Sequence, residues 1–425
     1  MTHELDEARR LLADGDAGSA VRALLPVAET APLHDIVEVV RAASVTIGFD
    51  DLAEAAAAVL AQPRDPVALY HFGLNCTERG IAFLGVPALR QALEYAPDAP
   101  AVLTQLVYAL ERQYRHAEAA VLLAQHDSRL VPWPQRYLLV FNAVLADMLP
   151  LAREHFARLP EPDDEDWAPA YDRLRNILRR TETAASVTSL DHHDLRGWHF
   201  VVTGGYLATL SPFGFAAGMT GRWAYLQETY PQCRRTLDRL ALILTASGRR
   251  PRTVSLLPDR DSHILGLAVA RLLDIPAESF TPDATDTLVV AYDLHEVAED
   301  LEPTLRERAD GRVVYEHATC WVDPPAISAD ITGLLAQSVV TPWDGSLRVT
   351  PEHEVEQLPA DDRPAAEIAA DILAADGTDD PGDGDTPPDP DESLTAFVTA
   401  THEAWLTGPR FAIRSPGPVR SNSFG

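Results

Sequence analysis

Two hydrophobic periods divide the chain. From Glu4 to about Thr181 apolar residues recur every three or four positions, broken by short polar turns such as Asp14-Gly15-Asp16 and Pro97-Asp98-Ala99-Pro100. That period puts them on one stripe of an α-helix, so the sequence predicts helix after helix, rich in the strong helix formers Ala, Leu, Glu and Arg. Near Thr183 glycines and β-branched runs take over, which predicts a boundary at 185–195 and a second domain of alternating strands and helices. Expected strands are Trp198 to Thr203, Thr253 to Leu257, Leu288 to Tyr292 and Val313 to Glu316. Expected helices are 225–246, one through Ile264 to Leu272, 297–308 and 327–338. This alternation implies a mostly parallel sheet covered on both faces, a three-layer α/β arrangement.

The expected fold is therefore multi-domain. An all-α helical-repeat domain spans 1–185 and an α/β domain 190–350, followed by an acidic disordered linker over 355–393 and a short helix with a basic tail over 394–425.

Within the helical half, Leu69, Phe72, Gly73, Cys76, Gly85, Leu89, Ala92 and Pro97 alternate large, small and helix-ending residues. A shift of about 34 residues meets Leu103, Leu106, Leu110, Ala119 and Leu123, with Pro132 one place late. A weaker copy follows at Leu139, Ala143, Ala152 and Phe156, and Gly15, Ala20 and Leu24 open the series. Small residues let two antiparallel helices approach, and large ones fill the groove between successive pairs; such units close no core alone and so they stack. The pattern resembles tetratricopeptide repeats, and the resemblance implies a solenoid scaffold for a protein or peptide partner. An irregular helical bundle is the other arrangement open to it.

Composition narrows the chemistry. The 425 residues carry 64 acidic and 35 basic side chains, a formal charge of −29, and every basic one is arginine. Without lysine the chain has no Walker-type phosphate loop, no internal pyridoxal Schiff base and no kinase-type strand lysine. The acidic surplus argues against binding nucleic acid or an anionic membrane. Cys76, Cys233 and Cys320 are too scattered for a zinc knuckle and too few for a disulfide framework. The amino terminus lacks the basic and apolar regions of a secretion signal, and no apolar run reaches the ~20 residues that span a bilayer, so the expected location is the cytoplasm.

In parallel sheets ligands sit at the carboxyl ends of strands, which nominates the turn from Pro258 to Ser262. Asp261 or Ser262 is placed to cap the next helix, and exposed amides with Arg260 beside them suit a small anion. A plain capping turn with Arg260 in a surface ion pair is the alternative. Gly204-Gly205, directly after an expected strand, is a second candidate turn, though a glycine pair equally serves tight packing.

The stretch from Val254 to about Cys320 resembles type I phosphoribosyltransferases. Leu288-Val289-Val290-Ala291 stands where that family has its hydrophobic strand, and Tyr292-Asp293 where it has an acidic pair. The resemblance implies pyrophosphate binding at the strand–turn–helix and an enzyme acting on a nucleotide or sugar phosphate. It breaks at His295-Glu296-Val297-Ala298-Glu299-Asp300, whose carboxylates repel the phosphate that the family's loop cradles. The binding candidates are thus Asp259, Arg260, Asp261, Ser262, Asp293, Gly204 and Gly205. No catalytic residue, cofactor or metal site is legible. Asp191-His192-His193-Asp194, with His199 beyond, reads as a polar linker because adjacent histidines point apart.

Toward the end, Asp376 to Glu392 holds eight acidic side chains and no basic one, which predicts disorder. Leu394, Phe397, Val398, Ala404, Trp405 and Leu406 suit a short amphipathic helix. The tail from Gly408 is cationic: it docks on an acidic surface of its own chain, serves a partner as a tether, or hangs free. The resulting expectation is a non-catalytic scaffold whose α/β domain senses a small anionic ligand, with the phosphate-processing enzyme as the competing reading.

Overall fold

A computed structural model describes residues 2–349, 355–378 and 380–423. The expected junction between α/β domain and linker at 350–354 and the last two tail residues lie outside the described residues. The chain divides into two compact units, Met1–Trp167 and Ala168–Gly425.

The first unit is helical throughout. Its α-helices are α1 (Thr2–Ala13), α2 (Ala17–Ala23), α3 (Leu33–Ile47), α4 (Asp50–Ala61), α5 (Pro66–Glu78), α6 (Ala82–Tyr95), α7 (Pro100–Glu111), α8 (His116–Gln125), α9 (Tyr137–Leu145) and α10 (Leu149–Phe156). Each packs on the next in chain order. The starts are set locally: Asp65 accepts from the Val67 amide and Pro66 opens α5, where a missing N–H costs nothing. Leu69, Phe72, Cys76, Leu89, Ala92, Leu110, Ala119, Leu123, Leu139, Ala143 and Ala152 are all fully buried. The small residues work as spacers, for a Cβ at Gly85 would stand 2.8 Å from the Gly73 carbonyl oxygen of α5. Glu29, Arg90, Glu118 and Arg115 form a closed ring of ion pairs across three stretches of this unit.

The second unit is α/β. Its helices are α11 (Ala168–Ala185), α12 (Leu195–Thr203), α13 (Tyr230–Ala246), α14 (Arg260–Leu273), α15 (Glu302–Arg306), α16 (Ala365–Ala374) and α17 (Asp391–Thr401). Its strands are β1 (Tyr206–Leu207), β2 (Trp223–Gln227), β3 (Thr253–Leu256), β4 (Ala277–Ser279), β5 (Thr287–Ala291), β6 (Val313–Cys320), β7 (Ile331–Val340) and an antiparallel pair, β8 (Ser346–Val349) with β9 (Val355–Leu358). The main sheet runs β1-β7-β6-β5-β3-β4, with β2 pairing further along β7, and every pairing in it is parallel.

Layering follows from register. Leu256 of β3 lies against Gly266 of α14, and its partner on β5 is Val290. Val289 and Ala291 therefore point the other way, into a cluster with Leu257, Leu294, Leu305 of α15, Val314, Ile327 and Ala329. Strand order reverses between β3 and β5, which makes their carboxyl ends the topological switch point. Among the described residues no helix is long and apolar enough to cross a membrane.

Four expectations are corrected. Trp198 to Thr203 is not a strand but most of α12: Asp194 caps it by accepting from the Gly197 amide, and Gly204 ends it at a φ of +81°. The expected helix at 327–338 is mostly β7, buried without a break from Ile331 to Ala336, so it carries no helical or alternating stripe. The helix at 297–308 shrinks to α15, and that expected from 225 starts at Tyr230, after β2. The 355–393 segment, expected to be disordered, is ordered in part. It contains β9 and α16, Arg196 holds Asp389 at 2.7 Å, and Arg235 holds Asp391 at 2.7 Å.

Candidate functional site

Between α12, β6 and β7 the second unit encloses a cavity closed by the end of the chain, Ile413 and Ser415 to Gly417. About 80 Å³ of it is open to the centre of a water molecule, several times the minimum that one water needs. Leu195, Trp198, Val202, Ile327 and Leu335 make apolar walls. His199, Arg222, Glu316, Thr319 and Thr332 bring polar groups into the same space.

Each polar group is placed by a rigid element. His199 stands on α12, one turn before the Gly204 cap, and its Nε2 is sealed from solvent without a hydrogen-bond partner. Burial, reinforced by the charge of Arg222, pushes its imidazole down to about 3, so the ring is neutral at physiological pH. Arg222 is 3% exposed. Its Nη1 donates to Ser421 Oγ at 2.6 Å and its Nη2 to the Pro416 carbonyl at 3.2 Å, while its plane lies over Trp321 at 5.4 Å. Its Nε is buried and unengaged. Burial lowers the guanidinium to about 9, which still leaves it cationic near neutrality.

Glu316, on β6, is 1% exposed. Burial raises its carboxyl to about 8, against the opposing pull of the Thr319 hydroxyl and of the Leu294 amide, which donates at 2.9 Å. The cavity thus combines one fixed cation, one neutral imidazole and one carboxyl that is mostly protonated at neutral pH.

The turn nominated from sequence lies elsewhere, at the switch point, and protein atoms use most of its polar groups, the buried Asp259 Oδ2 excepted. Asp259 caps α14 by accepting from the Ser262 amide at 2.8 Å. Arg260 donates to the Asp361 carbonyl. Asp261 accepts from the indole N–H of buried Trp343 at 2.7 Å, and burial raises its carboxyl above the usual range. Ser262 is fully buried and its hydroxyl accepts from the Tyr292 amide at 2.9 Å. Asp293 turns back onto His295 at 3.0 Å. Gly204 packs against Arg180, and a Cβ at Gly205 would come within 2.4 Å of the Ala329 carbonyl. The structure brings Asp259, Asp261, Ser262 and Asp293 to one corner and leaves Gly204 and Gly205 with α12.

A third cluster was hidden in the sequence. Glu228 follows β2, Cys233 lies in the first turn of α13 and His317 is on β6; all three are buried. His317 Nε2 is 2.6 Å from Glu228 Oε1, its Nδ1 is 2.8 Å from the Tyr315 hydroxyl, and the Tyr292 hydroxyl donates to Glu228 Oε2 at 2.8 Å. Residues 84 apart in sequence carry no spacing motif, and adjacency appears only once β2 and β6 flank β7. Arg222 and Glu316 were missed for the same reason. His199 was visible, but in a cluster whose exposed members, His192 and His193, stay at the turn before α12.

A second, wider cavity lies between β2, α13 and the Pro-rich segment before α17, lined by Trp223, Gln232, Arg235, Arg239 and Asp389. Its arginines are committed to Asp389 and Asp391.

No protein family, curated protein or solved structure matches this chain.

Proposed function

We propose that the protein is a binding module, and that its α/β unit holds a compact carboxylic acid with an apolar body in the cavity beneath the chain's end. The observation that carries this reading is the pair of sealed, unengaged nitrogens, His199 Nε2 and Arg222 Nε, in a pocket with otherwise apolar walls. A buried donor left without an acceptor costs roughly 1–3 kcal/mol, and a carboxylate accepts from Arg222 Nε and from the Nε2–H tautomer of His199 while its charge meets the guanidinium. Protonated Glu316 adds a donor at the same wall. The volume suits a small ligand.

A protein partner for the helical unit is a second reading, favoured by the exposed aromatics Phe49, Tyr95, Tyr108 and Tyr114, the residue class enriched where proteins meet. A resemblance to tetratricopeptide scaffolds agrees with it. The phosphate-processing alternative has less support, because Asp259, Asp261 and Asp293 put carboxylates where a phosphate would sit and Arg260 is engaged elsewhere.

Thermal unfolding of the full chain with butyrate, valerate, benzoate and neutral butyramide tests the reading. Carboxylates should raise the midpoint, butyramide should not, and Arg222→Met and His199→Gln should each abolish the rise. An equal response to acid and amide, or none to either, overturns it.

A further inference from the structure

We propose that Glu228, Cys233 and His317 form a binding site for one divalent ion of the zinc class, independent of the carboxylate cavity. Their donor atoms, a carboxylate oxygen, the thiol sulfur and a ring nitrogen, lie within 4.8 Å of one another. Sulfur and Nε2 stand 3.9 Å apart, and Nε2 and Oε1 2.6 Å. Tetrahedral zinc with bonds of ~2.0–2.3 Å spaces its donors by ~3.3–3.8 Å. The sulfur–nitrogen spacing is thus close to that of a tetrahedral site, and the nitrogen–oxygen spacing is shorter because the two atoms share a hydrogen bond.

The surroundings supply what a metal site needs beyond its ligands. The Tyr315 hydroxyl at Nδ1 fixes the ring and can accept from Nδ1–H, the tautomer that leaves Nε2 free for the ion. Tyr292 occupies Oε2, so Glu228 offers the single oxygen Oε1. The spacing of Glu228 and Cys233 is held by a capping box in which Thr229 and Gln232 bond each other's backbone across the start of α13.

Charge argues the same way. Glu228 and a Cys233 thiolate together neutralise a divalent ion. On binding, the thiol proton leaves to solvent, His317 exchanges the Nε2 proton that bonds Glu228 for one on Nδ1 facing Tyr315, sulfur, Nε2 and Oε1 each donate an electron pair to the ion, and water completes the fourth position. No redox change is involved. Borderline N, S and O donors favour zinc or cobalt over magnesium or calcium.

The test uses the full chain, produced in cobalt-supplemented minimal medium so that the ion enters while the protein folds. Elemental analysis should find one cobalt per chain, and the near-ultraviolet spectrum should show a thiolate-to-cobalt charge-transfer band. Cys233→Ser should lose that band with its fold intact by circular dichroism, and His317→Gln should lose the stoichiometric metal. Arg222→Met should keep both, which separates this site from the cavity. Cobalt below one-tenth of stoichiometry, or stoichiometric cobalt without a thiolate band in the unaltered chain, overturns the proposal.

Discussion

Arg410 and Asp330 meet out of water's reach. Both are 1% exposed, and Nη2 and Nε of the arginine donate to the same carboxylate oxygen at 2.6 and 3.0 Å. Arg308 takes the other oxygen at 2.6 Å, and the Val314 amide donates to the first at 2.9 Å. The remaining Arg410 donors end on the carbonyls of Leu305, Glu307 and Arg312. The cationic tail is thus docked on an acidic site of its own chain, and it carries Pro416 and Ser421 to Arg222.

Removing one partner of such a buried pair leaves an uncompensated charge. Asp330→Ala and Arg410→Met should each lower unfolding free energy by roughly 3–5 kcal/mol. Arg308→Met should cost less, because that side chain is 20% exposed. Urea unfolding followed by circular dichroism checks the ranking; equal stability of the Arg410 variant and the unaltered chain would contradict it.

Two buried carboxyls give opposite pH dependences. Burial works against ionisation of Asp330, but Arg308 first and then Arg410 hold its carboxyl below the usual range. Its contribution is present above an unfolded value of ~3.9 and lost as pH falls through the lower folded value. Glu316, raised by burial to about 8, keeps its proton in the folded state where the unfolded chain has lost it. Its contribution is therefore present in acid and declines from ~4.3 to about 8, by at most ~1.4 kcal/mol per pH unit. Glu316→Gln should flatten that decline and make the protein more stable than the unaltered chain at alkaline pH. Unfolding free energies across this range decide it.

Gly85 lets α6 approach α5. Gly85→Ala forces a methyl to 2.8 Å from the Gly73 carbonyl and 3.2 Å from Cys76 Cβ, so it should destabilise by roughly 1–3 kcal/mol, although alanine is the better helix former. A midpoint at or above that of the unaltered chain in thermal unfolding would show that the helices separate at little cost.

How far the sequence was legible depends on how local the signal was. The helical half was readable because stripes are local: Gly73, Gly85 and the buried leucines lie on helix faces that pack together. β3 and β5 were readable from compact β-branched runs between turns. The run Trp198 to Thr203 was misread because a helix buried on most sides shows no stripe; only its ends, Asp194 and Gly204, marked it. In β7 the unbroken apolar run from Ile331 to Ala336 hid its strand character in the same way. The candidate residues came from a turn, where exposed groups are expected, yet Trp343 and Asp361 return from about a hundred residues later to engage Asp261 and Arg260. His199, Arg222 and Glu316 converge only through the sheet, and nothing local announces it.

That engagement makes a prediction at the switch point. With Trp343 on Asp261 and carboxylates around the turn, inorganic pyrophosphate should leave the unfolding temperature unchanged in the unaltered chain and in Arg260→Ala alike. A rise in the unaltered chain that Arg260→Ala removes would contradict this and make the turn an anion site.

The carboxylate cavity is tested most directly by isothermal titration of the full chain with valerate, alongside Arg222→Met and His199→Gln at the same concentrations. One saturable site per chain in the unaltered protein, with affinity at least tenfold weaker in each variant, about 1.4 kcal/mol, is the result expected. Undiminished affinity in both variants, or no saturable heat in the unaltered chain, would contradict it.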